Sequence, residues 1–302
     1  MQISQCFAGA TAVTKAHNGD FFAAVDSGIS LIHRSGTEKM LIQLDRRILD
    51  LTCMKNTIYG VGDNGIFIRS SDYGETWQTT TLPTKGSIWS VCASEHGTIA
   101  THGNNVIFVS NDFGNSWKTI RPFHSLKGAK PSIRSLLLDE HYVYAGTKVH
   151  PQYGGIWRID LHRYEVTRIK KDTRMIASLL KYKQYLVSAA GTCKEAGGSI
   201  EYCHAFCPGN KQYRWRVCES DCQERCYLDL SQSDDYLYTT TSQDRNGVGR
   251  VSRVYLEDNK VVPCALVHGH GWRISNHQSQ YFVAGLYTSL YSNSEMQQLI
   301  QH

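Results

Sequence analysis

Six cysteines fall within 34 residues, and Cys193, Cys203, Cys207, Cys218, Cys222 and Cys226 form the densest set of reactive side chains in the sequence. Thiolates at this density hold zinc or an iron–sulfur cluster in a reducing compartment and pair as disulfides in an oxidising one. The spacings Cys203-x3-Cys207 and Cys218-x3-Cys222-x3-Cys226 differ from the C-x2-C knuckles of zinc ribbons. Metal ligation, disulfides and free structural thiols therefore all stay open. Cys6, Cys53, Cys92 and Cys264 lie apart and read as core residues, a habitual place for free cysteine.

A second set is basic. Arg47, Arg134, Arg174, Arg225 and Arg273 each stand at the start of a short apolar segment. A guanidinium offers a planar fork of donors, so a converging group of them suits a carboxylate or a phosphate. The competing reading is a solvated basic rim with no ligand.

The elements that position these residues follow from an internal repeat. A gap-free shift of 40 places Ile48–Trp77 on Ile88–Trp117, superposing Leu51 on Val91, Asn64 on Asn104, Asp72 on Asp112, and Gly74 on Gly114. Each copy holds short apolar runs separated by Gly, Asn and Asp, as strands joined by tight turns require. Weaker copies before and after this pair bring the total to seven units of roughly 40 residues, the size of a four-stranded propeller blade. The expected fold is all-β, a seven-bladed β-propeller in one domain over 1–302. Its expected blades are 10–46, 47–86, 87–130, 131–173, 174–224, 225–270 and 271–302, with residues 1–9 helping to close the ring.

Ser70-Ser71-Asp72-Tyr73-Gly74-Glu75-Thr76-Trp77 and Ser110-Asn111-Asp112-Phe113-Gly114-Asn115-Ser116-Trp117 both match S-x-D-x-G-x-[ST]-W. The sequence thereby resembles the Asp-box (BNR-repeat) propellers of sialidases, sortilin-type receptors and photosystem assembly factors. The resemblance implies a hairpin between the third and fourth strands of a blade. In it Asp72 and Asp112 cap backbone amides, Gly74 and Gly114 adopt φ > 0, and Trp77 and Trp117 pack on the blade. These roles are structural. Sialidases also carry a Phe/Tyr-Arg-Ile-Pro motif that this sequence lacks, so the resemblance extends to fold and not to that activity.

Propeller topology sorts the candidates by face. Inter-blade links and the loops between second and third strands share a top face, and Asp-box hairpins take the other. The top loops 147–154, 191–198 and 241–249 are long and belong to consecutive blades. Loops of this kind carry function on a rigid scaffold, although drift in tolerated loops produces the same lengths. Arg47, Arg134, Arg174, Arg225 and Arg273 are expected to ring the channel mouth on that face. Cys193, Cys222 and Cys226 are expected to meet there, with His150, His268 or His270 as a fourth metal ligand. Cys203 and Cys218 are expected to be near neighbours across two strands, with Cys207 in the adjoining hairpin.

Composition excludes several classes. No apolar run approaches the ~20 residues of a membrane helix, and the N-terminus has no basic region ahead of an apolar stretch. A cytoplasmic location is expected rather than a secreted one. The net charge of +5 is too mild for a dedicated nucleic-acid-binding domain. Walker loops, G-x-S-x-G elbows, H-E-x-x-H and dinucleotide fingerprints are absent from the sequence. The leading expectation is a propeller that binds a protein partner or an anionic ligand through its top face. The alternatives are a hydrolase or lyase acting on an anionic carbohydrate or phosphorylated substrate, and a zinc or iron–sulfur metalloprotein.

Overall fold

The computed structural model describes residues 6–7, 9–26, 28–192, 197–205, 213–277, 280–285 and 288–292. Among them are short strands, one 3-10 turn at Asp63–Gly65 and no α-helix. The strands form five four-stranded antiparallel sheets and one eight-stranded sheet. The chain is a β-propeller.

Each four-stranded sheet is a meander that starts near the axis and works outwards. The innermost strands are Ala10–Lys15, Ile48–Met54, Ser90–Ala93, Ile133–Asp139, Met175–Tyr182, Tyr227–Ser233 and Arg273–His277. Each packs against the next, and Arg273–His277 packs back on Ala10–Lys15. The eight-stranded sheet holds two successive meanders, joined where Arg216–Ser220 runs parallel to Lys260–His268 through Glu219/Lys260 and Ser220/Val261. The last sheet takes its outermost strand from the other end of the chain. Cys6 and Phe7 pair with Ser289 and Thr288, as expected of a segment that closes the ring.

Burial explains the sequence pattern. Second and third strands lie between neighbouring sheets and are buried on both faces, so Phe21–Val25 and Gly28–Ile32 are buried throughout. The outer strand Glu38–Gln43 is largely exposed and correspondingly polar. The core consists of slabs between sheets. One joins Ala12, Phe22 and Ile29 to Ile48, Leu51, Ile58 and Ile66 of the following sheet. Nearly continuous apolar strands of this kind are what two-sided burial demands.

The two S-x-D-x-G-x-[ST]-W segments fold as the same turn. Asp72 Oδ1 accepts from Ser70 Oγ (2.8 Å) and Thr76 N (2.9 Å), and Asp112 Oδ1 accepts from Ser110 Oγ (2.7 Å) and Ser116 N (2.9 Å). The Thr76 and Ser116 hydroxyls, which donate to the Oδ2 atoms, do most to hold both carboxyls down at about 2, and the bonds to Oδ1 add to this. Trp77 and Trp117 each donate Nε1–H to the box glycine's carbonyl at 3.1 Å. Gly114 has φ +88, and a Cβ there would stand 2.6 Å from the Phe67 ring. Gly114→Ala is therefore expected to destabilise the protein by about 1–3 kcal/mol, combining left-handed strain with a clash. A urea midpoint within error of wild type would contradict this.

A recurrent bulge shapes the axis. Register shifts fall between Ala10 and Ala12, Ile48 and Asp50, Ile133 and Ser135, Ile176 and Ser178, and Tyr227 and Asp229. The residues passed over are Thr11, Leu49, Arg134, Ala177 and Leu228. A bulge leaves its extra residue out of the ladder and re-aims its side chain. The residue after the bulge commonly ties one inner strand to the next. Asp50 Oδ2 accepts from Val91 N (2.9 Å), Ser135 Oγ donates to Ile176 O (2.9 Å), and Asp229 Oδ2 accepts from Ile274 N (2.9 Å).

Candidate functional site at the channel mouth

Four of the five bulged residues open onto a cavity of about 480 Å³ at the top of the axis. Thr11, Leu49, Arg134 and Leu228 line it, together with Arg47, Trp89, Ile133, Lys148, His270, Trp272 and Arg273. Its surface is thus an apolar base combined with four cations. A cavity of this size is ample for a small ligand or an inserted side chain.

The four cations are not equivalent. Arg273 is held by Asp50 (Nε to Oδ1, 3.2 Å) and stands 3.8 Å from Asp229. Burial disfavours its charge, but the two carboxylates outweigh burial and raise its pKa. Burial raises the pKa of Asp229, which lies farther from Arg273 than Asp50 does. Arg47 faces Asp63 at 3.5 Å and is half exposed. Lys148 lies over the Trp89 ring at 5.6 Å and has no ion pair among the described residues.

Arg134 is the exceptional one. Its guanidinium makes no hydrogen bond or ion pair with any described residue. Burial pushes its pKa down to about 10, and the neighbouring Arg273 adds to the shift. A partly desolvated cation without a partner is costly. The mouth therefore carries a guanidinium, aimed by a bulge, that no described side chain pairs with, and the charges of Asp229 and Asp50 act on it only from farther away.

Two imidazoles complete the surroundings. His270 Nδ1 accepts from Gln243 N (3.1 Å), which leaves the proton on Nε2, and burial lowers its pKa. His102 is fully buried behind the mouth and donates Nδ1–H to Gly103 O (2.5 Å), leaving Nε2 without a hydrogen-bond partner. Burial, with Arg134, Arg273 and Lys148 adding to it, holds His102 at about 3.

Of the five expected arginines, Arg47, Arg134 and Arg273 reach the mouth. Arg174 does not. It is spent on Asp172 (Nη2 to Oδ2, 2.7 Å), Glu201 (2.6 Å) and Ser199 (2.8 Å), in a network that Lys170 completes. Burial alone would raise Asp172, but Arg174 and Lys170 hold it at about 2. Arg225 also stays away from the mouth, and its charge acts on Asp244 of the neighbouring loop. Trp89, Trp272 and Thr11 are cavity residues outside every candidate set and loop picked from the sequence, while Lys148 comes from the long top loop 147–154.

The cysteine expectations need correction. Cys218 lies across from Ile200 rather than Cys203, and its thiol is free. Adjacent positions on a strand alternate faces, so Cys203 packs with Tyr144 and Leu186 while Cys218 packs with Leu230 and Leu237 on the other side of the sheet. Cys226 is buried with Ala177 and Leu228, and Cys222 sits in the link with its N–H on Ser220 Oγ (3.2 Å). Nδ1 of His150 accepts from Tyr153 N (3.0 Å), His270 is committed to Gln243, and His268 is exposed at the end of an outer strand. Among the described residues no three His, Cys, Asp or Glu side chains converge as a metal set. Cys193 and Cys207 lie outside the described residues.

Fold and mouth together define a β-propeller with a cation-rich axial site. The structure is similar to YCF48 from Cyanidioschyzon merolae, with TM-score 0.69, 16% identity and coverage of 95% and 96% of the two chains. It is also similar to the Cps50 (Swd1) β-propeller domain of Myceliophthora thermophila, with TM-score 0.70, 12% identity and coverage of 95% and 99%. A chain of a mitotic checkpoint complex matches with TM-score 0.72, 9% identity and coverage of 96% and 94%. No protein-family model matches the chain. In sequence it is 35% identical over 282 residues to YkuO of Bacillus subtilis (strain 168), an uncharacterised protein, with 92% of this chain and 94% of that one covered. The chain belongs to the YkuO family. No helix among the described residues is long and apolar enough to cross a membrane.

Proposed function

We propose that this protein is a seven-bladed Asp-box propeller that acts as an interaction scaffold and receives an acidic segment of a protein partner in its channel mouth. The blade count rests on the closed ring of innermost strands, with the eight-stranded sheet read as two blades. Membership of the Asp-box group rests on the two matching turns.

One observation carries the functional reading: Arg134 is re-aimed into the cavity and has no partner within the described chain. A carboxylate would supply its missing acceptor, with Lys148 alongside. A second cavity of about 400 Å³ shares Trp89 with the mouth and runs past Asn104, Asn105 and Arg121, which suits a chain longer than a single small anion. Among the described residues no carboxylate lines the mouth, and its imidazole is tied to Gln243, so these residues favour binding over acid–base turnover. Assembly in a complex is also the setting of one structural neighbour, the mitotic checkpoint chain.

The test is a titration with hexa-L-glutamate followed by tryptophan fluorescence. Binding is expected for wild type, with at least tenfold weaker binding for Arg134→Gln and a steep loss with added salt. Equal affinity for wild type and Arg134→Gln would reject the proposed role of the mouth.

A further inference from the structure

We infer that the acidic segment received by the mouth carries an aromatic residue beside its carboxylate, held between Trp89 and Trp272. This rests on the reading of the mouth as an acid-binding site and adds the chemistry of what accompanies the acid. Four observations lead to it. First, the cavity of about 480 Å³ is many times the size of a carboxylate, and Leu49, Ile133 and Leu228 line it as well as the cations. An anion alone would satisfy Arg134 and leave that apolar surface wet.

Second, Trp89 and Trp272 are 43% and 41% exposed, although most large apolar side chains here are buried between sheets. Exposed indoles on the wall of a concave site are the side chains that most often anchor a partner. Third, the two come from distant parts of the ring. Trp89 precedes the strand Ser90–Ala93 and Trp272 precedes Arg273–His277, so in ring order they approach the axis from different sides. Their backbones are fixed, with Trp89 N bonded to His102 O (3.0 Å) and Trp272 N to Ala284 O (2.9 Å).

Fourth, cations border the indoles. Lys148 lies over Trp89, and Arg273 directly follows Trp272 in the chain. An aromatic ring entering between the indoles would gain offset or edge contacts with them and a cation–π contact with a neighbouring charge. Arg134 belongs to the inner strand next in the ring to the one that follows Trp89, and it lines the same cavity as both indoles, so one entering segment can meet the guanidinium and the indoles together. A phosphate or an aliphatic acid would use only the cationic half of the cavity.

The experiment compares two peptides, acetyl-Glu-Ala-Glu-amide and acetyl-Glu-Trp-Glu-amide, titrated calorimetrically against wild type, Arg134→Gln, Trp89→Ala and Trp272→Ala. The tryptophan peptide is expected to bind wild type at least tenfold more tightly. That advantage should shrink to under threefold in either tryptophan variant. Arg134→Gln should weaken both peptides alike. Equal affinity of wild type for the two peptides would overturn the inference and leave the acid site standing. Failure of both peptides to bind wild type would instead remove the acid site itself. Free indole-3-acetate binding as tightly as the tryptophan peptide would overturn the polypeptide as the source of the ring. Circular dichroism and thermal melts of each variant separate lost binding from lost fold.

Discussion

Lowering the pH from 7 to 4 is expected to cost the protein about 3 kcal/mol of stability through one imidazole, that of His102. In the folded chain His102 is fully buried, its Nδ1–H is committed to Gly103 O, and its pKa is lowered to about 3. In the unfolded chain it protonates near pH 6.5, so between roughly 6.5 and 3 the unfolded state holds one more proton than the folded one. Stability therefore falls as pH falls through that window, by about 1.4 kcal/mol per pH unit. Asp72 and Asp112, held at about 2, act in a separate window below their ordinary carboxylate range of 3.8. His270, whose pKa burial also lowers, adds a residual slope of the same sign. Urea midpoints at pH 7, 5 and 4 should show most of the slope vanish in His102→Gln. A variant whose midpoints fall as steeply as those of wild type would refute this assignment.

Asp229→Ala is expected to be the most damaging single substitution at the axis, at about 3–5 kcal/mol. Its carboxylate accepts from Ser178 Oγ (2.9 Å) and Ile274 N (2.9 Å), tying its own inner strand to those on both sides. It also helps to balance Arg273, which is 14% exposed. Truncation leaves a buried N–H, a buried hydroxyl and a less well balanced guanidinium. Asp229→Asn should cost far less, about 1 kcal/mol, because the amide oxygen keeps one acceptor and Asp50 remains the nearer partner of Arg273. Thermal and urea unfolding of the two variants decide the matter. Equal losses for Asn and Ala would mean that charge, rather than the strand-to-strand bonds, sets the contribution of Asp229.

The repeat was legible because turn chemistry is local. Ser, Asp, Gly and Trp recur at fixed offsets, since the turn they form needs a capping carboxylate, a positive φ and a packing indole. Arg47, Arg134 and Arg273 were legible for a related reason: each sits where an inner strand begins. Arg174 and Arg225 satisfy the same rule and stay away from the mouth, Arg174 because carboxylates claim it. Asp172 and Glu201 claim Arg174, and Glu201 belongs to a strand 27 residues further on. The cysteines misled because strand register, not sequence proximity, decides which thiols meet. Trp89 had a readable signal, since the 40-residue shift that aligns Ile48 with Ile88 also aligns Leu49 with Trp89, and both line the mouth. His102 had none, because its depressed pKa arises from burial and from cations on other strands.

The strand Cys6–Phe7 pairs with Thr288–Ser292, and the time between their appearances has a consequence for synthesis. At 5–20 residues per second the earlier strand waits on the order of 15–60 s for its partner to be made. For most of that interval the strand Ala10–Lys15 also lacks its neighbour Arg273–His277, so the nascent ring is an open arc with two uncovered faces. Whatever shields those faces on the ribosome, a chaperone or simply slow collapse, acts before the channel mouth exists.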